Sequence, residues 1–111
     1  VLNQVIIVGR LTNDITITET ESGKKVAKIT LACTRPYKNT DGIYETDFID
    51  FTLWESIAEN TAEYCHKGDL MGIHGRLQSK MEDNMRILEV IADKVTFLSS
   101  KKPESGDDLL A

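Results

Sequence analysis

A chain of 111 residues has room for one ordinary domain, and with 41% hydrophobic and 28% charged residues it has a globular composition. No apolar run approaches the roughly 18 residues a membrane-spanning helix needs. "VLNQVIIVGR" lacks the basic-then-apolar order of a signal peptide, so neither a signal peptide nor membrane contact is expected. The net charge of −5 argues against a protein that binds nucleic acid by bulk electrostatics.

Residues 3 to 11, "NQVIIVGRL", read as a first strand with two apolar faces, Val5 and Ile7 on one and Ile6 and Val8 on the other. In a small domain such a strand packs one side against another subunit, or against the domain's own helix or loops. Gly9 within it suggests the bend of a barrel corner. After a turn at Ser22-Gly23, "KKVAKITLACT" alternates: Ala27, Ile29, Leu31 and Cys33 point one way, and Val26, Lys28, Thr30 and Ala32 the other. Arg35 and Pro36 are expected to end this strand. Asp41-Gly42 is the best hairpin-turn dipeptide in the chain, and "DFIDFTLW" is the return strand.

One helix is predicted over residues 56 to 67. Ser56 and Glu59 have capping-box spacing, Ile57, Ala58, Ala62 and Cys65 form an apolar stripe, and Gly68 is placed as the glycine that ends it. His66 would then sit at the negative end of the helix dipole. "DLMGIHGRL" and "MRILEVIADKVTFL" are two more strands joined by a tight turn at "EDN". Residues 99 to 111, "SSKKPESGDDLLA", lose periodicity and read as a disordered acidic tail, leaving residues 1 to 98 as the domain. Cys33 and Cys65 have no zinc-ligand spacing and read as reduced, buried thiols; no metal site is expected.

Strand, strand, strand, helix, strand, strand, with glycines inside strands, fits a mainly β fold: a five-stranded Greek-key barrel of the OB type with its helix between strands three and four. An SH3-like barrel and an open α+β sheet are the competing arrangements. No nucleophile with a nearby base, no HExxH and no phosphate-cradling loop appears, so catalysis is not expected.

Tyr37, Tyr44, Phe48, Phe51 and Trp54 crowd into one hairpin. Phe51 is in phase with the core face, but Phe48 and Trp54 fall on the polar face with Asp50 and Thr52. Either the helix, the tail or a neighbouring subunit covers them, or they are flat platforms on which unpaired bases stack. Lys28, Arg35, Lys38, Arg76, Lys80 and Arg86 are the cations near this hairpin or the last one, and each is a candidate phosphate contact or a plain solvated charge.

"LNQVIIVGRLTND", "ITLACTRPY", "TDFIDFTLWESIAENTAEYCHKGD", "IHGRLQS" and "LEVIADKVTFL" together resemble the bacterial-type single-stranded DNA-binding protein family, over about residues 2 to 98. The resemblance implies an OB-fold homotetramer that wraps single-stranded DNA without catalysis or cofactor. It carries base-stacking roles onto Tyr37, Phe48 and Trp54, sets Arg35 beside the first of these, and matches Lys67 to a lysine after the helix. It also agrees with Val5, Ile6, Ile7 and Val8 forming a subunit interface. Binding to exposed bases needs stacking and a few placed cations, which weakens the objection from the acidic balance.

Two departures stand out. The last hairpin, "QSKMEDNMRI", lacks the family's fourth stacking aromatic, and Met81 or Met85 offers only a soft apolar contact there. The family recruits replication and repair proteins through an acidic tail closing in Pro-Phe; the chain ends "SGDDLLA", which keeps the acids for such partners but not the Pro-Phe. The leading expectation is sequence-tolerant binding and protection of single-stranded DNA in replication, recombination and repair. The alternative is a protein–protein adaptor of a primosome-like assembly on the same fold. The resemblance implies a bacterial cytoplasm (nucleoid), with a mitochondrial matrix as the other setting.

Overall fold

A computed structural model describes residues 2 to 100. Seven elements follow in order: β1 (Val5–Leu11), β2 (Ile17–Glu19), β3 (Lys25–Lys38), β4 (Tyr44–Trp54), α1 (Glu55–Tyr64), β5 (Leu70–Glu82) and β6 (Met85–Ser99). The strands form one sheet in the order β1-β5-β6-β4-β3-β2, and a further β1–β3 pairing at Arg10 and Leu11 closes it. β1, β3, β4, β5 and β6 thus make the expected OB-type barrel. The one parallel contact, Thr52 against Ile91, joins β4 to β6.

The predicted phases explain the core. Ala27, Ile29 and Leu31 of β3 face Leu53, Phe51 and Ile49 of β4 in register. They pack with Leu11, Met71, Ile73 and Ala92 inside the barrel. Gly9 sits where β1 crosses β3: a Cβ there would lie 2.6 Å from Cys33 Sγ and 2.7 Å from the Ala32 carbonyl. Only a residue without a side chain permits that corner. Cys65 is buried and Cys33 half-buried, both as free thiols. Burial, aided by a nearby carboxylate, raises the pKa of each.

Several boundaries differ from expectation. β2 is an additional strand, three residues pairing with β3 through Ile17–Ala27 and its neighbours. β3 does not stop at Arg35 and Pro36 but runs to Lys38. Its register shifts between Thr34 and Lys38, so the chain accommodates Pro36 in an irregularity rather than in a regular ladder. The two hairpin turns are as the sequence suggests. Gly42 has φ 77, and Asp83 and Asn84 have φ 49 and 64, the left-handed pair of a tight two-residue loop.

The helix is shorter than 56–67, and the Ser56–Glu59 capping box does not form. Trp54 is the N-cap, without a side-chain cap bond. Glu55 takes φ 53, and its carboxylate accepts the Lys25 backbone N–H at 2.6 Å, so the turn into the helix is tied to β3 instead. The helix ends at Tyr64. Gly68 (φ 93) therefore serves a later turn, whose own N–H donates to the Leu11 carbonyl. His66 lies in that turn, outside the helix, with its backbone N–H on Asp69 Oδ2 at 2.8 Å. Ser99, assigned from sequence to the tail, instead closes β6; of the rest of the expected tail, Ser100 is described and residues 101–111 lie outside the described residues.

Candidate nucleic-acid interface

Alternation along β4 places Tyr44, Thr46, Phe48, Asp50, Thr52 and Trp54 on one face. Cross-strand pairing puts Val26 opposite Trp54, Lys28 opposite Thr52, Thr30 opposite Asp50 and Ala32 opposite Phe48. The polar members of this face bond to one another. Thr30 Oγ1 donates to Asp50 Oδ1 at 2.6 Å, and the buried Thr52 hydroxyl donates to Glu89 Oε2 on β6 at 3.4 Å. The rings have no such reason to be there. Phe48 is 67% exposed and Trp54 36% exposed, so neither the helix nor the barrel covers Phe48.

Phe48 stands at the edge of a groove between the β3–β4 and β5–β6 hairpins. Lys28, Asp50 and Thr52 line one side; Leu77, Lys80, Glu82, Leu88 and Glu89 line the other. Of the cations named from sequence, this groove collects Lys28 and Lys80. Lys80 lies 3.6 Å from Glu89 and 3.8 Å from Glu82, so both carboxylates compete with a phosphate for it. Glu89→Gln keeps an acceptor for Thr52 but removes the charge. It is expected to tighten binding of a polyanion severalfold, whereas Lys80→Ala should weaken it and reduce the salt dependence by about one phosphate contact. Affinity measured across a salt series checks both.

The other named residues lie elsewhere. Arg35 is engaged on the opposite face of the hairpin: its Nη2 and Nε donate to Asp47 at 2.8 and 3.0 Å, and its Nη1 to Glu45 at 2.7 Å. The Asp47 pairing secures the guanidinium charge, and the hydrogen bond from Arg35 lowers the Asp47 pKa. Because Lys38 pairs with Tyr44, Tyr37 falls on the other side of the strand, toward Arg35. Tyr37 is 61% exposed there. Arg76 approaches Asp93 of β6 at 4.0 Å, and its buried Nη1 makes no hydrogen bond among the described residues. Arg86 pairs with Met81 near the tip of the last hairpin. Lys67 sits in the turn after α1, its backbone N–H on Asp14 at 2.9 Å.

At the barrel's other side, Ile7 packs against the domain's own core and Val5 is half-buried, while Ile6 and Val8 are exposed. Sequence reasoning did not single out Tyr44 as a site residue. Its even spacing from Phe48 and Trp54 along one strand is the signal that marks it. Among the described residues no group of His, Cys, Asp or Glu suits a metal ion, and no helix is long and apolar enough to cross a membrane.

Fold and groove together define an OB-type barrel that presents an exposed ring and two lysines between its hairpins. The chain belongs to the single-strand binding protein family, whose model matches residues 2–98. It is 44% identical over 111 residues to the single-stranded DNA-binding protein B of Bacillus subtilis (strain 168), covering 96% of this chain and 98% of that protein. It is 39% identical to a single-stranded DNA-binding protein of Oceanobacillus iheyensis, over 96% of this chain and 70% of that protein. A third, from Halalkalibacterium halodurans, is 42% identical over 94% of this chain and 65% of its own length.

Proposed function

We propose that this protein binds single-stranded DNA without strong sequence preference. Bases stack on Phe48 and Trp54, and Lys28 and Lys80 meet the phosphates. Such coating protects unpaired strands in replication, recombination and repair, and requires no catalytic step. The observation that carries the reading is Phe48: a large ring two-thirds open to solvent, over a lysine-bearing groove, in a member of this family. Every base has a π-face, so a ring in this position accepts any of them.

The test is a titration of the fluorescence of Trp54, the only tryptophan, with an oligothymidylate. Quenching by the single strand and not by a duplex supports the proposal. The acids Asp50, Glu82 and Glu89 in the groove favour a second reading, a protein–protein adaptor. Under that reading the oligonucleotide leaves the emission unchanged.

A homotetramer is part of the proposal. Ile6 and Val8 stand exposed on β1, and Val8 and Leu98 each come within 3.8 Å of where a Gly72 Cβ would be. The missing side chain leaves a flat apolar surface that a second copy's β1 can approach, and such a surface invites aggregation if left open. Ile6→Asp is expected to break the assembly into smaller species. Sedimentation velocity at micromolar concentration checks this; a monomeric parent protein contradicts it.

A further inference from the structure

We propose that Tyr44, backed by Lys38, is an additional base-stacking station that extends the track from Trp54 past Phe48 toward the tip of the β3–β4 hairpin. This rests on the single-strand reading above and deepens it. Three observations carry it. Tyr44 shares the outward face of β4 with Phe48 and Trp54 by strict alternation. Its ring is 52% exposed, and its hydroxyl makes no hydrogen bond among the described residues. Lys38, directly opposite on β3, holds its ammonium 5.7 Å from the ring centroid.

A half-exposed tyrosine on a strand is ordinary by itself, and a cross-strand Lys–Tyr pair also stiffens a hairpin. The spacing adds more. At roughly 3.4 Å per residue, Trp54 and Phe48 lie about 20 Å apart along the strand, and Tyr44 lies about 14 Å beyond Phe48. One continuous strand of DNA following β4 therefore passes Tyr44 next. There it meets the same composition as in the groove, a ring for a base with a cation for the adjoining phosphate. Lys38 occupies one approach to the ring and leaves the rest for the base. Unlike Arg35 and Lys80, Lys38 has no carboxylate partner among the described ion pairs.

The experiment measures affinity for oligothymidylates of graded length with the parent protein, Tyr44→Ala, Tyr44→Phe and Phe48→Ala. Tyr44→Ala should weaken binding of the longest strand about fivefold or more. The deficit should vanish for strands too short to run from Trp54 to Tyr44, and Tyr44→Phe should bind like the parent. Unchanged affinity of Tyr44→Ala at every length, with Phe48→Ala impaired, overturns the Tyr44 station and leaves the site reading intact. A loss equal at all lengths marks a damaged hairpin and likewise overturns it. Should Phe48→Ala also bind as the parent does, the single-strand reading of this face falls as well.

Discussion

Phe51→Ala should severely destabilise the barrel. Phe51 is 1% exposed, stands opposite Ile29, and packs with Leu31, Leu53, Met71 and Ile73 inside the barrel. Removing a buried ring typically costs about 3–5 kcal/mol, because the transfer energy is lost and the cavity only partly collapses. A whole domain of this size is stable by only about 5–15 kcal/mol. The melting temperature should fall by about 15 °C or more. Far-UV circular dichroism against temperature measures it, and a shift of only a few degrees would mean that Phe51 is not in the core.

The second large effect lies on the other side of the same strand. Phe48→Ala should leave the melting temperature within a few degrees of the parent, since a ring 67% exposed has little packing to lose. Its affinity for single-stranded DNA should nevertheless drop about 5- to 150-fold. Stacking of a base on an aromatic ring in single-strand binding proteins, this family among them, is worth about 1–3 kcal/mol, a general range and not one read from this geometry. The salt dependence should stay as in the parent, because a ring releases no counterions. Trp54 is the poorer probe. It is only 36% exposed and forms the N-cap of α1, so Trp54→Ala mixes lost packing with lost stacking. Equilibrium binding of Phe48→Ala at two salt concentrations, on protein shown to be folded, decides the matter. Parent-like affinity would assign Phe48 to some other surface.

The paired ladder from Val26–Trp54 to Thr34–Thr46 was legible from sequence because alternation is strict there, and one face is almost wholly apolar. The hairpin beyond it was not. Between Thr34 and Lys38 the chain takes four steps on β3 against two on β4, so residue parity survives but the partner across the ladder can no longer be counted off from the turn. Tyr37 keeps the phase of Cys33 and Arg35, on the side away from Phe48, while Tyr44 keeps the phase of Phe48. The existence of α1 followed from its apolar stripe, but its start did not. A left-handed Glu55, its carboxylate on the Lys25 backbone, is a long-range bond that no local spacing reveals. The sequence does not sort the cations, for a similar reason. Arg35 and Lys80 look alike in sequence, and only the fold shows Arg35 bound by Asp47 and Glu45 outside the groove.

The barrel is fastened unevenly. β3–β4 and β5–β6 are long antiparallel ladders, whereas β4 meets β6 in register only at Thr52 and Ile91. Mechanically, this makes a seam under the groove floor, where the two hairpins can hinge apart without breaking either ladder. A clamp with stiff jaws and a compliant spine tolerates cargo of uneven size. Purines and pyrimidines differ in lateral size, so under the proposed single-strand reading the loosest joint in the barrel lies beneath the place where bases of either size would have to fit.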